Sequence, residues 1–147
     1  MRRPLVVGLA GLAVLLGACG GGPSGTAAPA PDLDAESRRI TAEVTALGAV
    51  TGAEVRLRGG ATWGRQVLLD AATDSPDAAT QREVLEQVVR LGWHTTAFVP
   101  TEVRVTVVGP DGTTLDPRDL GFPGRGADSA GLFDLFGPPA ADPDWRP

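Results

Sequence analysis

The stretch from Arg65 to Val108 decides the fold, and it reads RQVLLDAATDSPDAATQREVLEQVVRLGWHTTAFVPTEVRVTVV. Apolar and polar residues alternate at its two ends, over 65–72 and 102–108, which predicts two strands that are each buried on one face. Between these strands, apolar residues recur at helical spacing and predict a helix over 77–91. The stretch is therefore expected to form a strand–helix–strand unit with the helix packed on the sheet.

The ends of this helix carry start and stop signals. Residues 74–77, Asp-Ser-Pro-Asp, are typical of a helix start, because Asp74 or Ser75 can cap it and the missing N–H of Pro76 costs nothing in the first turn. Gly92 is expected to end the helix. The apolar stripe that faces the sheet consists of Val84, Leu85, Val88 and Leu91.

The residues before this unit predict a helix and a further strand. A helix is expected over 34–47, capped by Asp32 or Asp34. A strand follows over 53–58, and Gly59-Gly60 connects it to the next strand as a hairpin, with Trp63 folded over the hairpin end. After the third strand, the Pro110-Asp111-Gly112 turn brings residues 113–115 back as a brief pairing segment.

These elements predict an α+β fold, a two-layer sandwich in the order helix–strand–strand–helix–strand, over residues 33–120. If the third strand lies beside the first and antiparallel to it, the three-stranded sheet has the order 2-1-3. Both helices then cover one face. The opposite face is expected to be wet and to carry Glu54, Arg56, Arg58 and Arg104.

Residues 121–147 form a tail rich in glycine and proline. Ser129 is expected to cap a short helix whose apolar residues dock on the domain, an interpretation that we favour over a free partner-binding motif. Residues 140–147 are expected to be disordered, although Trp145 is a large apolar side chain to leave loose. The apolar residues of the short helix are Leu132, Phe133, Leu135 and Phe136.

The beginning of the chain carries a basic pair, Arg2-Arg3, then an uncharged run over 5–16, and then Leu16-Gly17-Ala18-Cys19. The run is shorter than the roughly 20 apolar residues that span a bilayer, and its length and flanks suit a cleaved signal peptide. The pattern resembles the signal peptide and lipobox of bacterial lipoproteins. The general secretory route is favoured for export, with the twin-arginine route as the alternative.

The lipoprotein resemblance implies a signal peptide over 1–18, cut between Ala18 and Cys19. It also implies diacylglycerol on the thiol of Cys19 and a further acyl chain such as palmitate, so that the chain is anchored in the cell membrane on its extracytoplasmic face. Residues 19–32 contain the lipidated cysteine and a linker of small residues and proline, which is expected to be flexible.

The Gly92-Trp93 pair after the second helix and Phe136-Gly137-Pro138 near the end carry a second resemblance. Together with the element order, they resemble small lipoproteins and secreted proteins of actinobacteria over residues 33–140, a likeness that implies no particular activity. The absence of Lys, Tyr and Asn is consistent with a GC-rich genome. A weaker likeness to the BON domain of bacterial envelopes implies no lipid-binding role, because the element order differs.

Charge and composition exclude several classes of function. Removing residues 1–18 leaves 129 residues with 11 basic and 18 acidic side chains, a net charge of −7. This balance argues against nucleic-acid binding. Asp111, Asp116 and Asp119 lack the residue order of a calcium loop. We therefore expect no metal and no cofactor.

Catalytic motifs are not expected. His94 is the only histidine, and no Gly-x-Ser-x-Gly nucleophile motif accompanies it. An enzyme would need Asp111, Asp116 and His94 to converge on one cleft, and this hypothesis ranks last.

The sequence predicts a non-enzymatic envelope lipoprotein that serves as a protein-interaction or structural module. The candidate contact surface for an envelope protein partner comprises Arg56, Arg58, Arg104, Trp93 and Phe98, although the two aromatic residues are also read as cover for a small core. The alternative is a carrier of a small apolar ligand, held in a gap between the helices and the sheet.

Overall fold

The computed structural model describes residues 29–62 and 64–147. The expected signal peptide, Cys19, most of the expected linker and Trp63 lie outside the described residues. The described elements in chain order are α1 (Leu33–Thr45), β1 (Val50–Arg58), β2 (Gln66–Thr73), α2 (Ala78–Trp93), β3 (Glu102–Val108), β4 (Thr114–Leu115), a 3₁₀ helix (Pro117–Leu120), β5 (Gly126–Asp128) and α3 (Ser129–Phe136).

The α+β class is confirmed, but the predicted three-stranded sheet and its 2-1-3 order are wrong. The sheet is mixed, with the order β1-β2-β3-β4 and with β5 also paired to β3. β2 is antiparallel to β1 and parallel to β3. β2 lies between β1 and β3, and β1 forms an edge of the sheet. β1 alternates Glu54, Arg56 and Arg58 along its exposed positions, a pattern suited to an edge strand.

The core lies between the helices and one face of the sheet. Val55, Leu69 and Val105 lie in one row across β1, β2 and β3, and all three are buried. Helix α1 packs against β1, α2 packs against β2 and β3, and the two helices contact each other, so both cover this face. The fully buried residues that the helices contribute are Ile40, Val44, Leu85, Val88, Val89 and Trp93.

Each α-helix is capped by an aspartate whose side chain accepts a backbone N–H three residues on. Asp32 accepts from Ala35 at 2.9 Å, Asp77 from Thr80 at 2.8 Å and Asp128 from Gly131 at 2.9 Å. Asp32 was one of the two caps predicted for α1. The predicted caps of the other two helices, Asp74 or Ser75 and Ser129, are wrong because the helices begin after Asp77 and Asp128.

Gly92 does not end α2, contrary to the prediction, because the helix continues to Trp93. A Cβ atom at Gly92 would lie 2.8 Å from Leu69 Cδ1 and 2.9 Å from Val103 Cγ1. The glycine therefore permits the close approach of α2 to β2 and β3.

The tail docks on the domain through α3 and the residues after it. Leu132 is fully buried, and the indole N–H of Trp93 donates to the carbonyl of Gly137 at 2.9 Å. The ring of Trp145 lies 5.7 Å from that of Trp93 and 5.9 Å from that of Phe133, both edge-on. These contacts correct the expectation that residues 140–147 are disordered. Across 29–62 and 64–147, no helix has the length and apolar character needed to cross a membrane.

Candidate functional site

The three residues on which an enzyme hypothesis depends do not converge. His94 caps the C-terminus of α2, two residues after Gly92. Gly92 packs against Val103 at the start of β3, whereas Asp111 follows the end of β3. A seven-residue strand spans roughly 23 Å at about 3.3 Å per residue, so His94 and Asp111 lie at opposite ends of the sheet. Burial, more than the nearby Arg90, lowers the pKa of His94.

The aspartates considered for metal binding have structural partners. Asp111 accepts the backbone N–H of Thr113 at 2.9 Å and stabilises a turn. Asp116 and Asp119 form a capping box on the 3₁₀ helix. Within the described part of the chain, no group of three or more His, Cys, Asp or Glu side chains is placed to hold a metal ion.

The two aromatic residues of the predicted contact surface belong to the core. Trp93 is fully buried and Phe98 is 8% exposed. Trp93 lies under the tail, where Gly137 satisfies its indole N–H and Trp145 covers its ring. Their assignment to a contact surface is therefore wrong, and the interpretation as cover for a small core is confirmed.

The three arginines of the predicted contact surface are exposed on the face of the sheet opposite the helices. Arg56 and Arg104 lie in one row with Leu68 between them. Arg56 pairs with Asp70 at 3.0 Å and Arg104 with Glu102 at 2.9 Å, while Arg58 has no ion pair among the described residues. These are surface pairs, worth at most about 1 kcal/mol each, so the arginines remain available to a partner.

A cavity of about 410 Å³ opens beside Arg104, at the edge of β3. β5 pairs with β3 over 102–104 and β4 pairs with it over 107–108, so neither strand pairs with Val105 or Thr106. The chain between β4 and β5 arches around this gap. The lining residues are Arg104, Val105, Thr106, Thr114, Asp116, Arg118 and Arg125, and we call this the arginine cavity.

Asp116 organises one wall of the arginine cavity. Its carboxylate, 11% exposed, accepts from Arg118 Nε at 2.9 Å and from Arg118 Nη2 at 2.6 Å. The backbone N–H of Asp116 donates to Asp119 at 2.8 Å, which completes the capping box. The Arg118 guanidinium, with a smaller effect from Arg125, lowers the pKa of Asp116, so this carboxylate is ionised at neutral pH.

The other two arginines keep most of their donors unoccupied. Arg125 Nε lies 3.8 Å from Asp116, beyond hydrogen-bonding distance, and its side chain is 80% exposed. Arg104 uses its Nε on Glu102. Within the residues that the structure describes, no protein acceptor takes the Nη groups of Arg104 or any side-chain donor of Arg125. The cavity thus presents unpaired guanidinium donors from two segments of the chain.

The interior between the helices and the sheet is filled by completely buried side chains, Val67, Leu85 and Val103 among them. A groove of about 360 Å³ does lie between α1 and β1, but its lining is largely polar: Asp34, Ser37, Arg38, Thr41 and Glu54, with Ala53 and Val55. A further groove of about 350 Å³ lies between the 3₁₀ helix and α3, where Phe122 and Leu135 line it together with Asp128 and Asp134.

Sequence reasoning identified Arg104 but missed Arg118 and Arg125. The available signal is local: Asp116-Pro117 is typical of the start of a turn, and Arg118 directly follows it. The placement of this turn against the unpaired edge of β3 depends on the positions of β4 and β5. Two- and three-residue strands carry too little periodicity for such a prediction.

No protein-family model, curated protein or solved structure matches the chain.

Proposed function

We propose that this chain is a lipid-anchored, non-enzymatic binding module of the bacterial cell envelope. The anchor is Cys19, by the resemblance of residues 16–19 to a lipobox. The binding surface is the arginine cavity together with the adjoining open sheet face, which carries Arg56, Arg58 and Arg104.

The unoccupied donors of the arginine cavity are the observation that supports this proposal most strongly. An arginine fork recognises planar anionic groups through parallel N–H···O bonds. Arg104 and Arg125 offer such forks at a concave site on a domain that is otherwise acidic. The separation of His94 from Asp111 and the structural use of Asp116 favour binding over catalysis. The filled core gives no support to the alternative, a carrier of an apolar ligand.

The anchor is tested by Cys19→Ser in the full-length precursor, with Ser24→Ala in the linker as the matched control. Without the thiol, no thioether to a lipid can form, and we expect the variant to remain uncleaved or to enter the medium. Membrane fractionation and metabolic labelling with a palmitate analogue measure this. A Cys19→Ser protein that is processed and membrane-bound like the control contradicts the anchor.

The binding role is tested by photo-crosslinking in intact cells. A photoreactive amino acid replaces Thr114, an exposed residue that lines the cavity without supplying a guanidinium donor, or, as control, Arg82 on the exposed side of α2. We expect a discrete adduct from position 114 that is not formed from position 82. The proposed binding surface is wrong if both positions give the same adducts or if neither gives one.

A further inference from the structure

We propose that the arginine cavity binds a single carboxylate group, presented by a small organic acid or by a polypeptide. This inference rests on the proposed function and specifies the chemistry that the binding site recognises.

The donors surround the cavity from independent segments. Arg104 projects from β3, and Arg125 lies in the segment leading to β5. Arg118 is held by Asp116 through contacts of 2.6 and 2.9 Å, so it forms a fixed wall. Arg125 Nε is 3.8 Å from Asp116, so no hydrogen bond to that carboxylate occupies its donors. A carboxylate placed between Arg104 and Arg125 would accept hydrogen bonds from these guanidinium groups.

The edge of β3 adds a backbone group to the site. Successive residues of a strand direct their N–H and C=O groups to opposite edges of the strand, and an unpaired edge exposes them. Val105 and Thr106 lie between the segments paired to β5 and to β4, so one of the two offers its backbone N–H to the gap. The hydroxyl of Thr106, which has no hydrogen bond to any described residue, lies in the same wall.

The local charge favours a carboxylate over a phosphate. Three arginines and Asp116 line the cavity, and two further acids contact these residues, Glu102 through Arg104 and Asp119 through Asp116. Because these acids offset most of the arginine charge, a monoanion meets less repulsion here than a phosphate dianion. A cavity of about 410 Å³ also falls within the size range of small-molecule sites and exceeds what a bare ion needs.

The test uses the full chain in detergent micelles, labelled with ¹⁵N-arginine, so that the Nε–H signals report on the guanidinium groups. N-acetylglycine is the carboxylate probe, its primary amide is the uncharged control, and inorganic phosphate is the competing anion, all at constant ionic strength. We expect saturable shifts of the Arg104 and Arg125 signals with N-acetylglycine, no saturable shift with the amide, and weaker binding of phosphate.

Arg125→Gln and Arg82→Gln are the matched variants, since each removes one exposed arginine and neither disturbs the core. Loss of one charged hydrogen-bond donor should weaken N-acetylglycine binding by about tenfold. We expect this loss for Arg125→Gln and an unchanged affinity for Arg82→Gln. Equal affinities in the two variants, a response to the amide like that to the acid, or tighter binding of phosphate overturns the inference.

The two proposals can fail separately. A crosslinked partner at position 114 without saturable N-acetylglycine binding excludes the carboxylate as the recognised group, while the proposed binding module stands. If N-acetylglycine binds but no adduct forms in cells, a protein partner is excluded and the cavity is a site for a free organic acid. A dipeptide with a free C-terminal carboxylate that binds more tightly than N-acetylglycine identifies a polypeptide as the source, and equal affinities identify the free acid.

Discussion

The carboxylate of Glu36 accepts a hydrogen bond from the hydroxyl of Thr95 at 2.8 Å and thereby joins the first turn of α1 to the loop that follows α2. The same oxygen accepts the backbone N–H of Thr96 at 2.6 Å. Arg39 binds both carboxylate oxygens at 2.8 Å and also contacts Glu43. A buried, fully occupied carboxylate therefore fixes two elements that are far apart in sequence.

The first prediction concerns acid stability. The hydrogen bond from Arg39, with smaller contributions from Thr96 and Thr95, lowers the pKa of Glu36 from 4.5 to about 2. Since the folded pKa lies below the unfolded one, the stabilisation is complete above about pH 5 and is lost as the pH falls towards 2. We expect Glu36→Gln to cost on the order of 2–3 kcal/mol at pH 7 and much less at pH 3. Urea unfolding at the two pH values measures the difference.

Glu43→Gln is the control for this prediction, because it removes the exposed partner of the same arginine. An exposed pair one helical turn apart contributes about 0.3–0.5 kcal/mol, so its loss should change stability only slightly at either pH. If the two variants lose the same stability at pH 7, the loop contacts of Glu36 are not what stabilises the domain.

The second prediction concerns the contact between α2 and the sheet. Gly92→Ala adds a Cβ atom that would lie within 3 Å of Leu69 and Val103 side chains. Overpacking of this kind costs about 1–3 kcal/mol, which exceeds the gain of about 1 kcal/mol from helix propensity. Gly48→Ala is the control, since nothing lies within 4 Å of its Cβ position. Thermal unfolding should show a clear decrease in Tm for Gly92→Ala alone, and equal Tm values would contradict the close packing.

The third prediction concerns the tail. Trp145 contacts the rings of Trp93 and Phe133 edge-on, and each such aromatic pair contributes about 0.5–1.5 kcal/mol beyond area burial. Trp145→Ala should therefore lower the free energy of unfolding by about 1–3 kcal/mol and make Trp93 accessible to acrylamide quenching. Asp144→Ala, an exposed neighbour, should do neither. If Trp145→Ala and Asp144→Ala have the same free energy of unfolding, the contacts of the tail do not stabilise the domain.

The sequence predicted the helices and strands that are long enough to show a clear hydrophobic period. Strand β3 matches its predicted bounds, and the helices differ from theirs by one or two residues at each end. Strand order was not predictable from the same patterns. The alternation shows which face of a strand is buried, and this face is the same whichever strand lies beside it. Gly92 shows a second limit of prediction from local patterns. A glycine near a helix end usually indicates the end of the helix, but this glycine allows α2 to pack closely on the sheet.

The candidate site was predicted only in part for a related reason. The alternation in β3 placed Arg104 on the open face correctly. Arg118 and Arg125 reach the site through a turn whose position depends on long-range pairing of β4 and β5 with β3. The positions of Trp93 and Phe98 in or next to a loop favour a surface location, yet large aromatic residues near loops often complete a core.

The fourth prediction separates the structural role of Asp116 from its charge. Asp116→Asn retains an oxygen that can cap the 3₁₀ helix but loses the ion pair with Arg118. Removing this negative charge makes the wall formed by Arg118 and Arg125 more positive, so N-acetylglycine should bind about threefold to tenfold more tightly. Stability should decrease by about 1 kcal/mol. The Nε–H titration and urea unfolding measure the two effects, with Asp111→Asn as the control in an exposed turn. Weaker binding in Asp116→Asn than in this control would mean that Asp116 orients the arginines more than it competes with a ligand.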